Sequence, residues 1–222
     1  MPTHQSLGGV SDEHLLGRMV ATHPERFGAP FWAFFAEHVA SRLTAQPTIV
    51  DLGCGPGLVL QDVAERYPSA RLYGYDVTPA MIAHARQLVY RSATPTLAVH
   101  DVTAQPLPNG TASVQLVCMS SVLHIVDEPL PVLAEIRRVL AADGTFLLND
   151  WIRQPLAGYL AWRRDVMKET EVESRQRGFR LFPMHNKYTP EDWQWLLAAA
   201  GFAILEQTEL RPAHRVFVAC PV

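Results

Sequence analysis

Cysteine is scarce in this chain: Cys54, Cys118 and Cys220 stand far apart, with no CxxC pair and no Cys/His cluster at zinc-finger spacing. That excludes a disulfide framework and gives no structural metal. Long apolar runs are missing too; none approaches the ~20 residues of a spanning helix. The first ten residues lack both the basic start and the apolar stretch of a secretory leader. The expectation is a cytoplasmic protein with no membrane span. An excess of positive charge is also absent, since 19 Lys and Arg face 22 Asp and Glu. A net charge of −3 offers no field for a phosphate backbone, so no nucleic-acid partner is expected. Repeats and low-complexity tracts are lacking. What the chain has is core: 48% hydrophobic and 18% charged residues over 222 positions suit one α/β domain with appendages.

Two helical patterns come first. Residues 11–20 read as a helix capped by Ser11, with Asp12 and Glu13 at its positive end. Pro30 opens a second, over 30–43, carrying Phe31, Trp32, Phe34 and Phe35. From Thr48 strands alternate with helices: strands over 48–53, 71–76, 96–101, 113–120 and 145–151, helices over 57–67, from Thr78 and Pro79, and over 128–140. Asp143-Gly144 reads as the turn into the fifth strand. This rhythm specifies a parallel sheet with right-handed crossovers. Residues 152–190 break it with a charged excursion that lacks a strand signal. A helix over 190–200 ends at Gly201, and strands over 203–210 and 214–220 follow. Three residues between those strands are too few for a parallel crossover, so they pair as an antiparallel hairpin. The fold class is α/β: a Rossmann-like, doubly wound, seven-stranded sheet, mostly parallel. Its segments are a helical cap or lid (1–47), an α/β core (48–151), a helical insertion (152–190), and the last helix with the hairpin (191–222).

The strongest motif is Ile49-Val50-Asp51-Leu52-Gly53-Cys54-Gly55-Pro56-Gly57, a buried strand ending in a glycine-rich turn that opens a helix. Backbone there can approach a ligand closely, and the helix start presents free N–H groups. Asp76 ends the second strand, 23 positions after Gly53, where a carboxylate can accept ribose hydroxyls. Asp101 ends the expected third strand, beside an adenine position. Singly, each aspartate reads as a turn or cap; at successive strand tips after the glycine loop, together they point to a nucleoside. A nicotinamide oxidoreductase would need glycine at 58 to complete GxGxxG, and Leu58 stands there.

With these motifs the chain resembles the class I S-adenosylmethionine-dependent methyltransferases over about 48–220. The resemblance implies S-adenosylmethionine as cofactor. It places Asp51 near the methionine end, and Gly53, Cys54, Gly55 and Gly57 along the amino-acid and ribose portions. Asp76 then holds the ribose, Val77 packs on adenine, and Asp101 with Val102 meets the adenine amino group. Met119 and Ser120 belong to the segment after the fourth strand, whose backbone contacts the ammonium group. The activity implied is methyl transfer to an oxygen, nitrogen or carbon nucleophile. A fold that binds the cofactor without catalysis, as a partner subunit, is the alternative.

His124 follows the fourth strand and is the candidate general base; the competing reading is a packed or hydrogen-bonded histidine. Asn149-Asp150 is similar to the metal-binding pair of catechol-type methyltransferases. Ser120 and Ser121 replace the acid that would complete the set, so no metal is expected. Candidate acceptor-binding residues are Phe31, in an aromatic lid, and Trp151, Tyr159, His185 and Tyr188. The excursion holds eight basic residues against four acidic ones, which reads as a solvated face. The acceptor expected is a small apolar or aromatic molecule, with a carboxylate left open.

Overall fold

The computed structural model describes residues 3–165 and 167–222; Met1, Pro2 and Val166, which the segments 1–47 and 152–190 include, lie outside the described residues. Seven strands form one sheet: β1 (Thr48–Leu52), β2 (Arg71–Asp76), β3 (Thr96–Val99), β4 (Val114–Ser120), β5 (Leu140–Trp151), β6 (Phe202–Arg211) and β7 (His214–Pro221). Their order is β3-β2-β1-β4-β5-β7-β6. β1 to β5 run parallel, while β7 lies antiparallel between β5 and β6. The chain leaves β1 for β2 and β3 on one side, then crosses to β4 on the other. A crevice therefore opens at the carboxyl ends of β1 and β4, where ligands of such sheets bind.

Alternation along each strand divides the core. Val50, Val117, Leu148 and Phe217 face α6 (Pro129–Val139) and α9 (Pro190–Ala199). Ile49, Cys118, Leu147 and Val218 face α3 (Ala29–His38) and α4 (Leu58–Arg66). α5 (Pro79–Ala85) adds Ile82 to that second face. Phe31, Phe34 and Phe35 belong here, all at 7% exposure or less. The aromatic helix is thus sheet packing, with Trp32 under the Arg66 guanidinium at 3.8 Å. A short helix in contact with a sheet buries its rings there, so the expected aromatic lid is corrected.

The cover comes from elsewhere. α1 (His4–Gly8), which had no pattern in the sequence, is closed by a reciprocal Thr3–Ser6 capping box and packs on α8 (Glu171–His185). α2 (Asp12–Arg26) starts at the Ser11 cap as expected, but runs on to Arg26 with Pro24 inside it. Thr78 was expected to cap α5 and makes no such bond; its hydroxyl accepts from Gln5 Nε2 at 3.0 Å, tying the cover to the sheet. β5 begins at Leu140 rather than after Asp143-Gly144, and that turn becomes an irregularity in its register with β4. The insertion contains α7 (Leu156–Asp165) and α8. Its charges are only partly a solvated face. Arg163 is 3% and Glu169 7% exposed, and they pair at 2.6 Å. Among the described residues no helix is long and apolar enough to cross a membrane.

Candidate active site

One cavity of about 280 Å³ occupies the crevice. Its floor is the glycine loop. Gly53 has φ +70°, and a side chain there would run into Val122 Cγ2. Gly57 heads α4 at φ +83°, and a Cβ would press on Ala85 at 2.7 Å. Gly53 and Gly55 line the cavity, whereas Gly57 serves the packing of α4 on α5. Ser121, just past β4, holds φ +55° in the sparsely populated left-handed region, fixed by its N–H to Asn149 O at 2.8 Å.

Asp76 reaches the cavity from the tip of β2. Its Oδ2 accepts from Gly55 N at 2.9 Å and its Oδ1 from Thr78 N at 2.8 Å. Two carboxylate oxygens offer about four lone pairs; the Thr78 hydroxyl takes a share beside the two N–H groups, and the remainder is open to a ligand hydroxyl. Burial raises the Asp76 pKa, and the two N–H bonds oppose that rise. Asp51 is 5% exposed and lines a side pocket with Arg26, Cys54 and Ser120. Burial first, then the neighbouring Asp76 charge, pushes its pKa up to about 7, against the pull of Arg26. The Cys54 thiol is raised well above its ordinary value by the same burial, so it stays protonated.

Val77, Val102, Met119 and Ser120 line the cavity. Asp101 does not. β3 ends at Val99, and Asp101 forms a turn in which its Oδ1 accepts from Thr103 N at 2.9 Å and Thr103 Oγ1 at 2.6 Å. His100 and Val102 present themselves instead.

Towards the acceptor side the residues separate more sharply. Trp151 and His185 line the cavity and stack at 3.9 Å with 13° between their planes. Tyr159 is fully buried and stands behind them, its hydroxyl 2.7 Å from His185 Nδ1. Since Arg163 Nη1 donates to that hydroxyl at 3.0 Å, the phenol proton goes to His185 Nδ1, and the imidazole keeps its own on Nε2. That Nε2 has no partner among the described residues. Neither Phe31 nor Tyr188 is on the main cavity: Phe31 packs in the sheet core and borders only the side pocket it shares with Arg26 and Arg211, and Tyr188 lies against Trp193 at 4.7 Å. The lid reading of Phe31 and the acceptor-binding reading of Tyr188 are corrected; ring packing on a helix face outweighed any outward orientation.

His124, 1% exposed, is not on the cavity wall. Its Nδ1–H donates to Asp150 Oδ1 at 2.6 Å, leaving Nε2 buried and unpartnered among the described residues. His4 and His185 lie in front of it, with ring centroids 5.1 and 5.3 Å away. A base must reach its proton, so His124 as the residue touching the acceptor is corrected. The same Asp150 accepts from Leu123 N at 2.9 Å, His124 N at 3.3 Å and Trp151 N at 2.7 Å, so its four lone pairs are all engaged and none is left for magnesium. His4, His124 and His185 could hold a metal by position, their ligand atoms lying within 4.8 Å of one another. His4 Nε2 donates to Ser121 O at 2.8 Å, which leaves a lone pair on Nδ1. As hydrogen-bonded, the cluster therefore supplies two lone pairs and one N–H. Burial lowers the pKa of His4 to about 4 and that of His185 well below its ordinary value, with His124 as the next cause in each, so both rings are neutral at pH 7.

Sequence reasoning missed His4, Arg26, His100, Arg211 and His214, all on the cavity wall. None carries a local signal, because each is brought in by a turn or helix whose placement is tertiary.

Residues 50–148 match the family described as a methyltransferase domain. A malonyl-[acyl-carrier protein] O-methyltransferase of Geobacter sulfurreducens is 33% identical over 162 residues, which cover 71% of this chain and 56% of that protein. A trans-aconitate 2-methyltransferase of Methylobacterium nodulans is 32% identical over 102 residues, 46% of this chain and 37% of that one. The chain thus spans about half the length, or less, of the curated relatives it matches. Among solved structures, plantazolicin methyltransferase BpumL with a triazolic desmethylPZN analog and SAH superposes with a TM-score of 0.74 at 14% identity, covering 98% of this chain and 93% of that one. The SAM dependent methyltransferase of Aquifex aeolicus gives 0.61 at 20% identity, over 84% and 89%. Fold, glycine loop and domain match agree, and the chain belongs to the class I S-adenosylmethionine-dependent methyltransferases.

Proposed function

We propose that this protein transfers the methyl group of S-adenosylmethionine to a small acceptor enclosed in the same cavity. The observation that carries the reading is continuity. One cavity joins Gly53, Gly55, Asp76 and Val102 at one end to Trp151, Trp162 and His185 at the other. In this reading Asp76 takes the ribose hydroxyls and Val77, Val102 and His100 flank the adenine. Asp51 and the backbone around Ser120 face the ammonium group. The cofactor supplies an electrophilic methyl on sulfur. The protein aligns the acceptor behind it and keeps water away. His185, with its Nε2–H unpartnered, is an oriented donor to the acceptor; His124 and Asp150 hold the ring cluster from behind. The relatives named for malonyl and aconitate substrates act on carboxylic acids, which supports an anionic acceptor here. We place the reaction in the cytoplasm, on the three free cysteines.

Titration calorimetry with S-adenosylhomocysteine tests the cofactor assignment. Asp76→Ala is expected to weaken binding about 10- to 100-fold, as charge-assisted hydrogen bonds to ribose are lost. Unchanged affinity removes Asp76 from this role.

A further inference from the structure

Five arginines line the cavity, and they fall into two groups. Arg18, Arg163 and Arg177 converge on one carboxylate, Glu169, at 2.9, 2.6 and 3.7 Å. Arg26 and Arg211 have no such partner. Among the described residues no carboxylate lies within hydrogen-bond or ion-pair distance of either guanidinium, and Arg211 Nε is buried and unbonded. Both also line a side pocket of about 30 Å³ with Glu25, Phe31 and Asn149, so their heads share one corner.

That corner has a definite electrostatic state. Burial lowers the Arg26 pKa to about 10, and burial followed by the nearby Arg26 charge lowers that of Arg211 to about 9. Both stay charged at pH 7. Asp51 would be the natural counter-ion of Arg26, but its own pKa near 7 leaves it only half ionised. Glu25 and Asp150 pull on Arg211 at a distance without bonding it. Two half-buried like charges with no bonded anion, one of them with its Nε buried and unbonded, are costly, and filling such a site with an anion has a large effect. A planar guanidinium also presents a fork matched to a carboxylate.

We infer that Arg26 and Arg211 form a receptor for a carboxylate, standing at the methionine end of the cavity beside the acceptor space. The inference rests on the methyltransferase reading for the two possible owners of that group. One is the acceptor, which would then be a carboxylic acid held by this pair. The other is the amino-acid end of the cofactor, which passes Asp51 nearby.

The test uses the full chain and its Arg26→Gln and Arg211→Gln variants, each checked by its melting curve. S-adenosylhomocysteine and 5′-methylthioadenosine, which lacks the amino-acid end, are titrated calorimetrically. If the cofactor owns the carboxylate, the variants lose about 10- to 100-fold in affinity for the first compound and nothing for the second. If the acceptor owns it, both affinities persist. Acetate and benzoate then raise the melting temperature of the wild-type complex more than their neutral amides do at equal ionic strength, and the variants lose that gain. Either result supports the receptor and names the owner. Variants that match the wild type in every arm overturn it, while wild-type binding of S-adenosylhomocysteine still upholds the cofactor reading. Wild type that binds neither nucleoside fails the methyltransferase reading instead, and the acetate arm run without them still decides the receptor. Should a glutamine variant not fold, acid is compared with amide on wild type free of nucleoside, where the receptor is open under either owner: no difference there overturns the proposal.

Discussion

Cofactor binding should release a proton from Asp51. In the open cavity its carboxyl titrates near 7, because it is buried and stands beside the charge of Asp76, which Arg26 only partly offsets. An ammonium group placed beside it favours the ionised form and brings its pKa back toward the ordinary range. At about pH 6 roughly nine-tenths of the carboxyls are protonated before binding, and at about pH 8 roughly one-tenth. Linkage then fixes both the proton count and the affinity. About 0.9 proton leaves per cofactor at the lower pH and about 0.1 at the higher, while affinity improves about tenfold between them. Calorimetry in two buffers of unlike ionisation enthalpy reads the count directly, with S-adenosylhomocysteine as ligand. Asp51→Asn should abolish the buffer dependence and flatten the affinity profile, which separates Asp51 from Asp76. Heat that is identical in both buffers at the lower pH, or proton uptake, refutes the placement of Asp51 beside the ammonium group.

Gly53→Ala should destabilise the fold by about 1–3 kcal/mol and weaken cofactor binding, since φ is +70° and Val122 fills the space; a chemical denaturation series measures it. Glu169→Gln removes the carboxylate shared by Arg18, Arg163 and Arg177 and should cost about 3–5 kcal/mol, read by the same series. An unchanged midpoint would mean the three guanidiniums are solvated. Stability should also fall as pH drops from neutral. His4, with a folded pKa of about 4 against an ordinary 6.5, contributes about 3 kcal/mol that is present above its unfolded pKa and lost as pH falls through the folded one. His185 and His214, lowered mainly by burial, act in the same direction. Asp51 has the opposite sign, its raised pKa favouring the fold at low pH and losing that contribution as pH rises through about 7. The His4 part is read against His4→Gln, in which the carboxylate contributions cancel: wild type should lose more stability than the variant from about pH 7 to 4, and equal losses would show that the ring is not held as a neutral species.

The sheet was readable because its signals are local. Runs such as residues 113–120 are nearly continuously apolar, as strands covered on both faces should be, and the three-residue link over 211–213 left the hairpin no parallel option. The glycine loop and Asp76 were readable for a similar reason: a strand tip and the turn beyond it are adjacent in sequence, so their place on the cavity follows from the element. Phe31 and Tyr188 misled because a ring carries no mark of the side it faces. Asp101 was placed at a strand tip by a pattern that continues two residues past Val99, where Thr103 turns it aside. His124 was rightly singled out by position, yet its depth depends on His4, 120 residues earlier in the chain, which no periodicity connects to it.

This difference between the two ends of the cavity has a functional logic. The adenosine end comes from β1, β2 and β4 and the turns directly after them, so its geometry is inherited with the sheet. The acceptor end draws on β5 and the β6–β7 turn, which are paired through backbone, and on α1, α2 and α8, which are held to the rest by side chains such as Gln5 on Thr78, Arg18 on Glu169 and His4 on Ser121. Such joints can be altered one at a time without touching the sheet, since each is worth about 1–3 kcal/mol. The relatives are named for different acceptors, malonyl-[acyl-carrier protein] and trans-aconitate, while each is about a third identical to this chain over the stretch it matches, as that arrangement allows. It also explains why the unpaired arginines lie in separate elements, α2 and β6. An anion bound between Arg26 and Arg211 would therefore bridge α2 and β6, two elements that the side pocket already brings together.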